Sequence, residues 1–409
     1  MNKPKIGIIH YTYPPVIGGV EKIVYDHAQL FAKYGYPITV IAGEGENNNK
    51  IITFKKIPAL QSLGITDPQL RKTILEDASY PTDFATHSES IYKLLKQACS
   101  DIDILFIHNV MTMSFNPCLT YALTKLIKNE HRRKYVVWVH DVLLGPDRKK
   151  KIFRNPQLSS LFYEPQENAN YAGISEQVKK TLIEDIGFPA KKISIIPNGI
   201  DISSFLQLLP ETQQIVKKYD LFAKDLLIFV PTKIMKHKNI DVCLRVLSHI
   251  KKVMNDAMMI ITAKNLPHSK NLDYYQDILE LIRRLDLLPN VLLLDDEVHE
   301  KAKIKEMEII KDFYKLSDIT IFLSSFENFG LPVIESGIMK TPIICSNLEV
   351  FKEIESENII FVEIDDPSYI AQTLLTEIQN NKQIRFFRKI KKSYNFDHIF
   401  QEKIVPLLA

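Results

Sequence analysis

Residues 319–335 read ITIFLSSFENFGLPVIE, an apolar run that passes through a short polar loop into a helical pattern. Ile319 to Leu323 have the length and apolar character of a buried strand, and Pro332 to Met339 continue with apolar residues at helical spacing. Proline suits the first turn of a helix because its missing N–H has no partner there, and Gly330 lets the backbone approach a ligand closely. The stretch therefore predicts consecutive strand, loop and helix of an α/β fold.

The same alternation of strand and helix extends in both directions along the chain. One series runs from residues 5–10 to 192–196, and a second runs from 226–230 to about 345. Pro197-Asn198-Gly199 between them is turn chemistry, and 409 residues exceed what one hydrophobic core normally supports. We predict two α/β domains, 1–198 and 199–382, and a helical tail, 383–409, which has apolar residues at helical spacing but no following strand.

The composition excludes several classes of protein. With 52 Lys+Arg against 49 Asp+Glu the formal net charge is +3, so no whole-molecule electrostatic case exists for nucleic acid as a partner. The four cysteines form no CxxC pair, which indicates neither a zinc site nor a disulfide framework. No apolar run approaches the roughly 20 residues of a membrane span. We expect a cytoplasmic protein.

Two carboxylates follow the strand at 319–323. In doubly wound sheets, ligands bind beyond the carboxyl ends of the strands, where a helix N-terminus offers free N–H groups to a phosphate. Glu335 is expected on the first helical turn, and Glu327 in the loop before it. This spacing can span a nucleotide-sugar. Taken singly, Glu335 could merely complement the helix dipole, and Glu327 could be a solvated loop acid.

A basic loop follows the first strand of the second domain. It reads Pro231-Thr-Lys-Ile-Met-Lys-His-Lys-Asn239 and includes Lys233 and Lys238, five residues apart. Two such cations can grip a diphosphate and neutralise the charge that develops on it when a sugar leaves, which removes the need for a metal. A lysine-rich loop is also a common solvated surface.

Taken together, these two loops resemble the retaining glycosyltransferases of family 4, in the two-domain class called GT-B. The family signature is a Glu, seven residues and a second Glu, with Phe-Gly-Leu-Pro between them, and 327–335 reproduce it. The resemblance covers nearly the whole chain. It implies that Glu327 contacts the transferred sugar, that Glu335 contacts the ribose, and that Phe329, Gly330 and Leu331 help to bind the donor.

The chain also departs from the family pattern. An Arg and a Lys usually bind the diphosphate; Lys238 matches, but Lys233 replaces the Arg and loses its planar bidentate fork. Lys340 stands where a Gly is usual, Leu323 where a Pro is usual, and Ser346-Asn347-Leu348 replaces a Gly-rich stretch. These departures leave the identity of the donor open.

The first domain supplies further candidates. Pro14-Pro-Val-Ile-Gly-Gly-Val-Glu21 resembles the family's glycine loop, in which Gly18 and Gly19 let the donor diphosphate or the acceptor approach backbone N–H groups. His140 matches a family His that faces the reaction centre. His108 and Asp141 are candidates for the acceptor side. Gly-Gly before a helix and a His at a strand end are also common structural features.

The resemblance implies two Rossmann-like domains with parallel sheets facing across a cleft, and C-terminal helices that pack back on the N-terminal domain. The implied reaction is the transfer of a hexose, with retention of configuration, from a nucleotide-diphosphate sugar to a glycan, lipid or other hydroxyl acceptor. The nucleotide sugar is a co-substrate, and no cofactor or metal is expected.

A basic run, Arg148-Lys149-Lys150-Lys151, follows the strand that ends at His140. A solvated loop explains such a run, but so does an anionic acceptor or a charged membrane surface. The sequence therefore allows peripheral contact with the inner face of a membrane.

The sequence has two alternative functional interpretations. A dinucleotide dehydrogenase requires G-x-G-x-x-G after a strand, whereas the first strand here leads to Pro14-Pro15 and Gly18-Gly19, so that alternative fails on its own motif. A catalytically silent GT-B protein that binds a glycan or a partner is favoured by the departures at Lys233 and Lys340. The presence of Glu327, Glu335, Lys238 and His140 together argues against it.

Overall fold

The chain divides into two units, each built around its own parallel sheet. The structure, a computed structural model, describes residues 3–75, 82–142, 156–262, 272–294, 297 and 306–409. The first unit comprises Met1–Gly199 and Phe396–Ala409, and the second comprises Ile200–Asn395.

The first unit contains a parallel sheet of seven strands in the order β3-β2-β1-β4-β5-β6-β7. The order reverses between β1 and β4, which pair directly, with Ile6 opposite Ile104 and Ile9 opposite Ile107. The strands are β1 Ile6–Thr12, β2 Ile38–Glu44, β3 Ile52–Lys56, β4 Ile104–His108, β5 Lys134–Val139, β6 Ala169–Gly173 and β7 Ile193–Ile195.

Helices connect these strands, as a parallel sheet requires. Three of the described helices of this unit begin at polar caps: the Ser62 side chain accepts from Gly64 N, the Asn116 side chain from Leu119 N, and the Ser175 side chain from Val178 N. The helices of this part are α1 Gly19–Lys33, α2 Leu63–Thr66, α3 Pro68–Leu75, α4 Thr82–Ala98, α5 Pro117–Asn129, α6 Pro156–Tyr163 and α7 Glu176–Glu184.

The last residues of the chain complete the core of this first unit. Phe396, Ile399, Phe400 and Ile404 are buried in the same cluster as β1 and α1. The Phe400 ring stacks on Tyr34, with ring centroids 4.7 Å apart. The C-terminal segment thus packs back on the N-terminal domain, as predicted.

The second unit has its own parallel sheet of six strands in the order β10-β9-β8-β11-β12-β13. The order reverses between β8 and β11, which pair with Ile228 opposite Ile319. The strands are β8 Leu226–Val230, β9 Ala257–Ile261, β10 Val291–Leu293, β11 Ile319–Phe322, β12 Ile343–Ser346 and β13 Ile360–Val362. β8 and β9 are buried along their whole length, as expected of strands covered by helices on both faces.

The helices of the second unit pack on these strands. The described helices are α8 Ile202–Phe205, α9 Pro210–Tyr219, α10 Ile240–Lys251, α11 Leu272–Arg284, α12 Glu306–Leu316, α13 Leu331–Met339, α14 Glu349–Ile354, α15 Pro367–Asn380 and α16 Lys382–Ser393. One further helix, α17 Phe396–Ile399, belongs to the first unit.

The predicted tail, 383–409, is divided between the two units. Residues 383–395 belong to the second unit, and only 396–409 belong to the first. The physical reason is an ion pair between Lys391 and Asp318, with both side chains fully buried, which fixes α16 to the second unit. The boundary between the long segments lies between Gly199 and Ile200.

Each unit therefore has one switch point, where the strand order reverses and a crevice opens beyond the strand ends. In the first unit the loops after β1 and β4 meet at this point, and in the second unit the loops after β8 and β11 do. Within the described part of the chain, no helix is both long and apolar enough to cross a membrane.

Candidate functional site

Lys238 and Glu327 meet at the switch point of the second unit. Lys238 Nζ donates to Glu327 Oε1 in a short contact, and Ser324 Oγ donates to the same oxygen over 2.8 Å. The Lys238 ammonium also lies 5.0 Å from the centre of the Phe322 ring. Only 15% of the Lys238 side chain and 17% of the Glu327 side chain are exposed, so the pair is largely shielded from water. A lysine has three N–H donors, which leaves donors for a second anionic group.

Two hydrogen bonds to backbone carbonyl oxygens tie together the two loops that carry this pair. Ser325 N donates to His237 O over 2.8 Å, and Asn239 Nδ2 donates to Leu323 O over 2.7 Å. Asn239 has a left-handed conformation, with φ 51°, which ends the short helical turn Lys236–Lys238 and starts α10. The position of Lys238 is thus set by the neighbouring strand as well as by its own loop.

Lys233 is placed differently from Lys238. Its side chain is exposed, and among the described residues it forms no hydrogen bond or ion pair. The neighbouring Thr232 and Ile234 are buried, so the loop points its apolar residues inward. The structure therefore does not join Lys233 to the Lys238–Glu327 pair through a direct contact.

Gly330 forms the turn between Glu327 and α13. Its φ of 110° is a conformation that side chains rarely adopt, and a Cβ there would lie 2.7 Å from Phe351 Cε1. The side chains of Phe329 and Leu331 on either side are exposed, at 53% and 61%. The loop therefore presents apolar surface to solvent beside the ion pair.

Glu335 does not lie on the first helical turn, in contrast to the prediction. Gly330 is the N-cap and Leu331 the first helical residue, so Glu335 begins the second turn, where backbone N–H groups are already bonded within the helix. Its Oε2 instead accepts a hydrogen bond from Tyr314 Oη over 2.8 Å. Tyr314 lies on another helix and belongs to no motif, so nothing in the sequence pointed to it.

The first unit gathers histidines at its own switch point. His108 Nδ1 and His140 Nε2 lie 3.0 Å apart, and both residues are buried. The His140 and Asp141 backbone N–H groups both donate to Asn109 Oδ1, over 3.1 Å and 2.9 Å. Asn109 Nδ2 in turn donates to Asp141 Oδ2 over 3.0 Å. Three of the predicted residues, His108, His140 and Asp141, are thus brought together.

The glycine loop joins this cluster through Glu21. Gly18 is the N-cap of α1 and Gly19 its first residue, and a Cβ at Gly18 would lie 1.9 Å from Glu21 Oε2. Thr12 Oγ1 donates to Glu21 Oε1 over 2.6 Å, and His10 Nε2 lies 3.6 Å from the same oxygen. The loop motif did not single out His10 or Glu21; the signal was that His10 lies on the strand before the loop and that Glu21 ends the quoted stretch.

Burial determines the charge of these histidines. It holds the pKa of His140 and that of His27 at about 3, and together with the neighbouring histidines it holds the pKa of His108 well below its ordinary value. His10 and the Thr12 hydroxyl lower the pKa of Glu21 to about 2. At neutral pH, therefore, His140 offers a hydrogen bond rather than a positive charge.

The predicted basic run has no described position in the structure. Arg148, Lys149, Lys150 and Lys151 lie outside the described residues. In the described part of the chain, no group of three or more His, Cys, Asp or Glu side chains is arranged to hold a metal ion.

Two family models match the chain in succession. Residues 17–204 match the model described as "Glycosyltransferase Family 4", and residues 211–393 match the one described as "Glycosyl transferases group 1".

Several known proteins are similar over much of the chain. Mannosylglucosylglycerate synthase of Petrotoga mobilis is 22% identical over 65% of this chain and 64% of its own length. The Thermotoga maritima protein of the same name is 20% identical over 88% and 85%. O-antigen chain mannosyltransferase RfbU of Salmonella typhimurium is 25% identical over 69% and 70%. A solved glycosyltransferase from Rickettsia africae is 17% identical, with a TM-score of 0.39, over 100% of this chain and 98% of that one.

Proposed function

We propose that this chain, which is a glycosyltransferase of the family 4 type with the GT-B fold, transfers a hexose from a nucleotide-diphosphate sugar. The proposed transfer retains the configuration of the sugar and needs no metal ion. The acceptor is a hydroxyl group of a glycan, a lipid or another molecule. The observation that carries this proposal is the Lys238–Glu327 pair at the switch point of the second unit.

The pair supports donor binding in two ways. Lys238 is fixed by Glu327 and the Phe322 ring, so its remaining N–H donors need little reorganisation to bind a diphosphate. Glu327 carries a carboxylate that can accept hydrogen bonds from sugar hydroxyls. Since a diphosphate and a sugar are adjacent in a nucleotide-sugar, one bound donor can contact both residues.

The same groups suggest how the reaction proceeds. As the bond between the sugar and the diphosphate breaks, negative charge grows on the diphosphate oxygen, and the Lys238 ammonium stabilises it. The acceptor hydroxyl attacks the same face of the sugar, and its proton passes to the departing diphosphate oxygen. This route retains configuration and requires no covalent nucleophile. Neutral His140 is assigned a hydrogen bond to the sugar or to the acceptor.

Mannose is the first sugar to test. The similar proteins include an O-antigen chain mannosyltransferase and two mannosylglucosylglycerate synthases. We therefore propose a mannose nucleotide as donor, and an acceptor from polysaccharide or glycolipid synthesis.

Thermal unfolding with added nucleotides tests the donor site. Uridine, guanosine, adenosine and thymidine diphosphates are each added to wild type, Lys238→Met and Lys236→Met. A ligand that binds only the folded state raises stability, so we expect one nucleotide to raise the Tm of wild type. The shift should disappear in Lys238→Met. It should persist in Lys236→Met, because Lys236 is exposed on the same turn and serves as the matched control.

Two further measurements test the mechanism. The anomeric configuration of the product, read by NMR, should equal that of the donor, and activity should survive a chelator. An inverted product would overturn the attack on the same face of the sugar, and strict dependence on a divalent ion would overturn the metal-free mechanism. If no nucleotide stabilises wild type, the proposed donor site is wrong.

We also propose that Arg148 to Lys151 contact anionic lipid, on the sequence argument alone. Wild type should pellet with anionic vesicles in a salt-sensitive way, and replacement of the four residues by Ser should abolish this. Pelleting that is unchanged in the variant would contradict the proposal.

A further inference from the structure

Tyr314 on α12 reaches across to α13, where its hydroxyl donates to Glu335 Oε2 over 2.8 Å. The Tyr314 side chain is almost wholly buried, with 1% exposed, whereas Glu335 is only partly buried. The buried Tyr314 hydroxyl thus binds a carboxylate, that of Glu335, which is partly exposed to solvent.

The ring of Tyr314 is fixed from several sides. It packs edge-on against Phe229 of β8, with ring centroids 4.9 Å apart and an interplanar angle of 87°. Its backbone carbonyl accepts from Thr341 Oγ1 over 2.9 Å, which ties α12 to the residues that follow α13. The position of the hydroxyl is therefore set by the sheet and by both helices.

The direction of the hydrogen bond is also determined. Burial, followed by the Glu335 carboxylate, raises the pKa of Tyr314 far above its ordinary value. The phenol consequently keeps its proton and acts as the donor, and the carboxylate is the acceptor.

The hydrogen bond from Tyr314 holds the Glu335 carboxylate in place of a backbone N–H group. Glu335 lies on the second turn of α13, and no backbone N–H group of the described residues donates to its carboxylate. Tyr314 engages Oε2, while Oε1 accepts no hydrogen bond from any described residue. One oxygen is anchored and the other is available to a ligand.

We propose that Tyr314 is a positioning residue for ribose recognition: it orients the Glu335 carboxylate so that the free oxygen accepts a hydrogen bond from a ribose hydroxyl of the donor. This inference rests on the proposed function and on the ribose contact that the family resemblance implies for Glu335. The inference adds Tyr314, a residue outside the family signature, to the donor site. The property that it assigns to Tyr314 can be measured as the preference for a ribonucleotide over its 2′,3′-dideoxy analogue.

A purely structural role is the competing explanation, because a buried phenol needs an acceptor whether or not a ligand binds. The two explanations differ in what Tyr314→Phe changes. A structural role alters stability and affects all nucleotides alike. A positioning role weakens only those ligands that present ribose hydroxyls.

Calorimetric titration distinguishes the two. The probes are the nucleoside diphosphate that stabilises wild type and its 2′,3′-dideoxy analogue, which has no hydroxyl for Glu335. A hydrogen bond to a charged group corresponds to about tenfold or more in affinity, so wild type should prefer the natural nucleotide by at least about that factor. Tyr314→Phe should reduce this preference about five- to tenfold, through weaker binding of the natural nucleotide alone.

Two variants serve as controls. Tyr219 Oη donates to Glu297 Oε1 over 2.5 Å elsewhere in the second unit, so Tyr219→Phe removes a comparable contact and should leave the preference unchanged. In a Glu335→Ala background the oriented oxygen is gone, and Tyr314→Phe should have no further effect on the preference.

The outcomes separate the inference from the proposed function. If wild type prefers the natural nucleotide and Tyr314→Phe keeps that preference, or weakens both probes equally, Tyr314 is structural and the inference fails while the donor site stands. If neither probe binds wild type, the proposed function itself fails. If Tyr314→Phe does not fold, loss of the preference in Glu335→Asp, which withdraws the carboxylate by one methylene, supports the oriented contact, and an unchanged preference refutes it.

Discussion

Lys340 has a left-handed backbone conformation, with φ 58°, at the C-terminal end of α13. Its N–H donates to Gly337 O over 3.2 Å, and the next residue, Thr341, donates to Ser336 O over 3.0 Å. This hydrogen-bond pattern favours glycine, because a side chain in the left-handed region costs roughly 1 kcal/mol. The departure from the usual Gly at this position thus has a structural cost.

We predict that Lys340→Gly raises the free energy of unfolding by about 0.5–1 kcal/mol, the cost of the side chain less the added flexibility of the unfolded chain. Urea denaturation measures the change. Lys340→Ala removes the charge but keeps a Cβ, so it should not give this gain. Equal stabilisation by both variants would attribute the effect to charge rather than to backbone conformation.

At the residue scale, the sequence predicts contacts between residues in loops that follow adjacent strands of the same parallel sheet. Lys238 and Glu327 follow adjacent central strands, so the parallel sheet brings their loops to one edge. Tyr314 contacts Glu335 only because α12 and α13 pack at a particular angle and register, and no motif encodes that. Lys233 shows that spacing alone is not sufficient: it lies five residues before Lys238, as in the family pattern, but it does not contact the Lys238–Glu327 ion pair.

At the scale of elements, α16 depends on one buried ion pair. Lys391 Nζ lies 3.3 Å from both carboxylate oxygens of Asp318, and Asp318 Oδ2 also accepts from Leu227 N over 2.8 Å. Burial lowers the pKa of Lys391, although Asp318 opposes this shift. The pair connects α16 to the start of β11 and to β8.

We predict that Lys391→Ala lowers the free energy of unfolding of the second unit by about 3–5 kcal/mol, because it leaves the Asp318 carboxylate buried without its counter-charge. Lys392 is the matched control. It pairs with Asp225, but about 40% of each side chain is exposed, so Lys392→Ala should cost less than about 1 kcal/mol. Equal losses in denaturant unfolding of the two variants would contradict this account.

Element boundaries follow closely from apolar runs, but only where burial is complete. β8 Leu226–Val230 has the predicted bounds, since every residue in it is buried. β3 Ile52–Lys56 was not predicted, because it is an edge strand with one buried residue and no apolar run. The periodicity of 383–408 also could not reveal that the chain passes between two cores near Asn395, since α16 and the following segment are both amphipathic.

At the scale of the whole molecule, the first unit should be the acid-sensitive part. His27, His108 and His140 are buried with pKa values far below the ordinary 6.5, so the unfolded chain binds more protons once the pH falls below about 6.5. Stability is therefore lost as the pH falls from about 6.5 towards 3. Glu21 acts in the same direction below about pH 4.5, where its contribution begins to disappear.

We predict that His27→Met reduces this acid sensitivity. Neither ring nitrogen of His27 has a hydrogen-bond partner among the described residues, so an apolar side chain of similar size should leave stability at pH 7 unchanged or higher. Denaturant unfolding at pH 7, 6 and 5 measures the slope. A slope equal to that of wild type would show that His27 does not contribute to the acid sensitivity.

We also predict that Phe400→Ala destabilises the first unit by about 3–5 kcal/mol, although Phe400 follows the second unit in sequence. Its buried ring contacts Phe31 and Tyr34 of the first unit. Hydrogen exchange should rise in β1 and α1 rather than in β8. Phe386→Ala, at a 66% exposed position on α16, is the control and should change neither.

The division of the first unit into two pieces of chain has a consequence for synthesis on the ribosome. Residues 1–199 emerge first, but Phe396, Phe400 and Ile404, which complete their core, emerge only after residues 200–395. At about 5–20 residues per second the delay is about 10–40 s. The second unit is continuous in sequence and can finish folding during that time. We expect the nascent first unit to expose the apolar surface that Phe396, Phe400 and Ile404 later cover, until those residues have emerged.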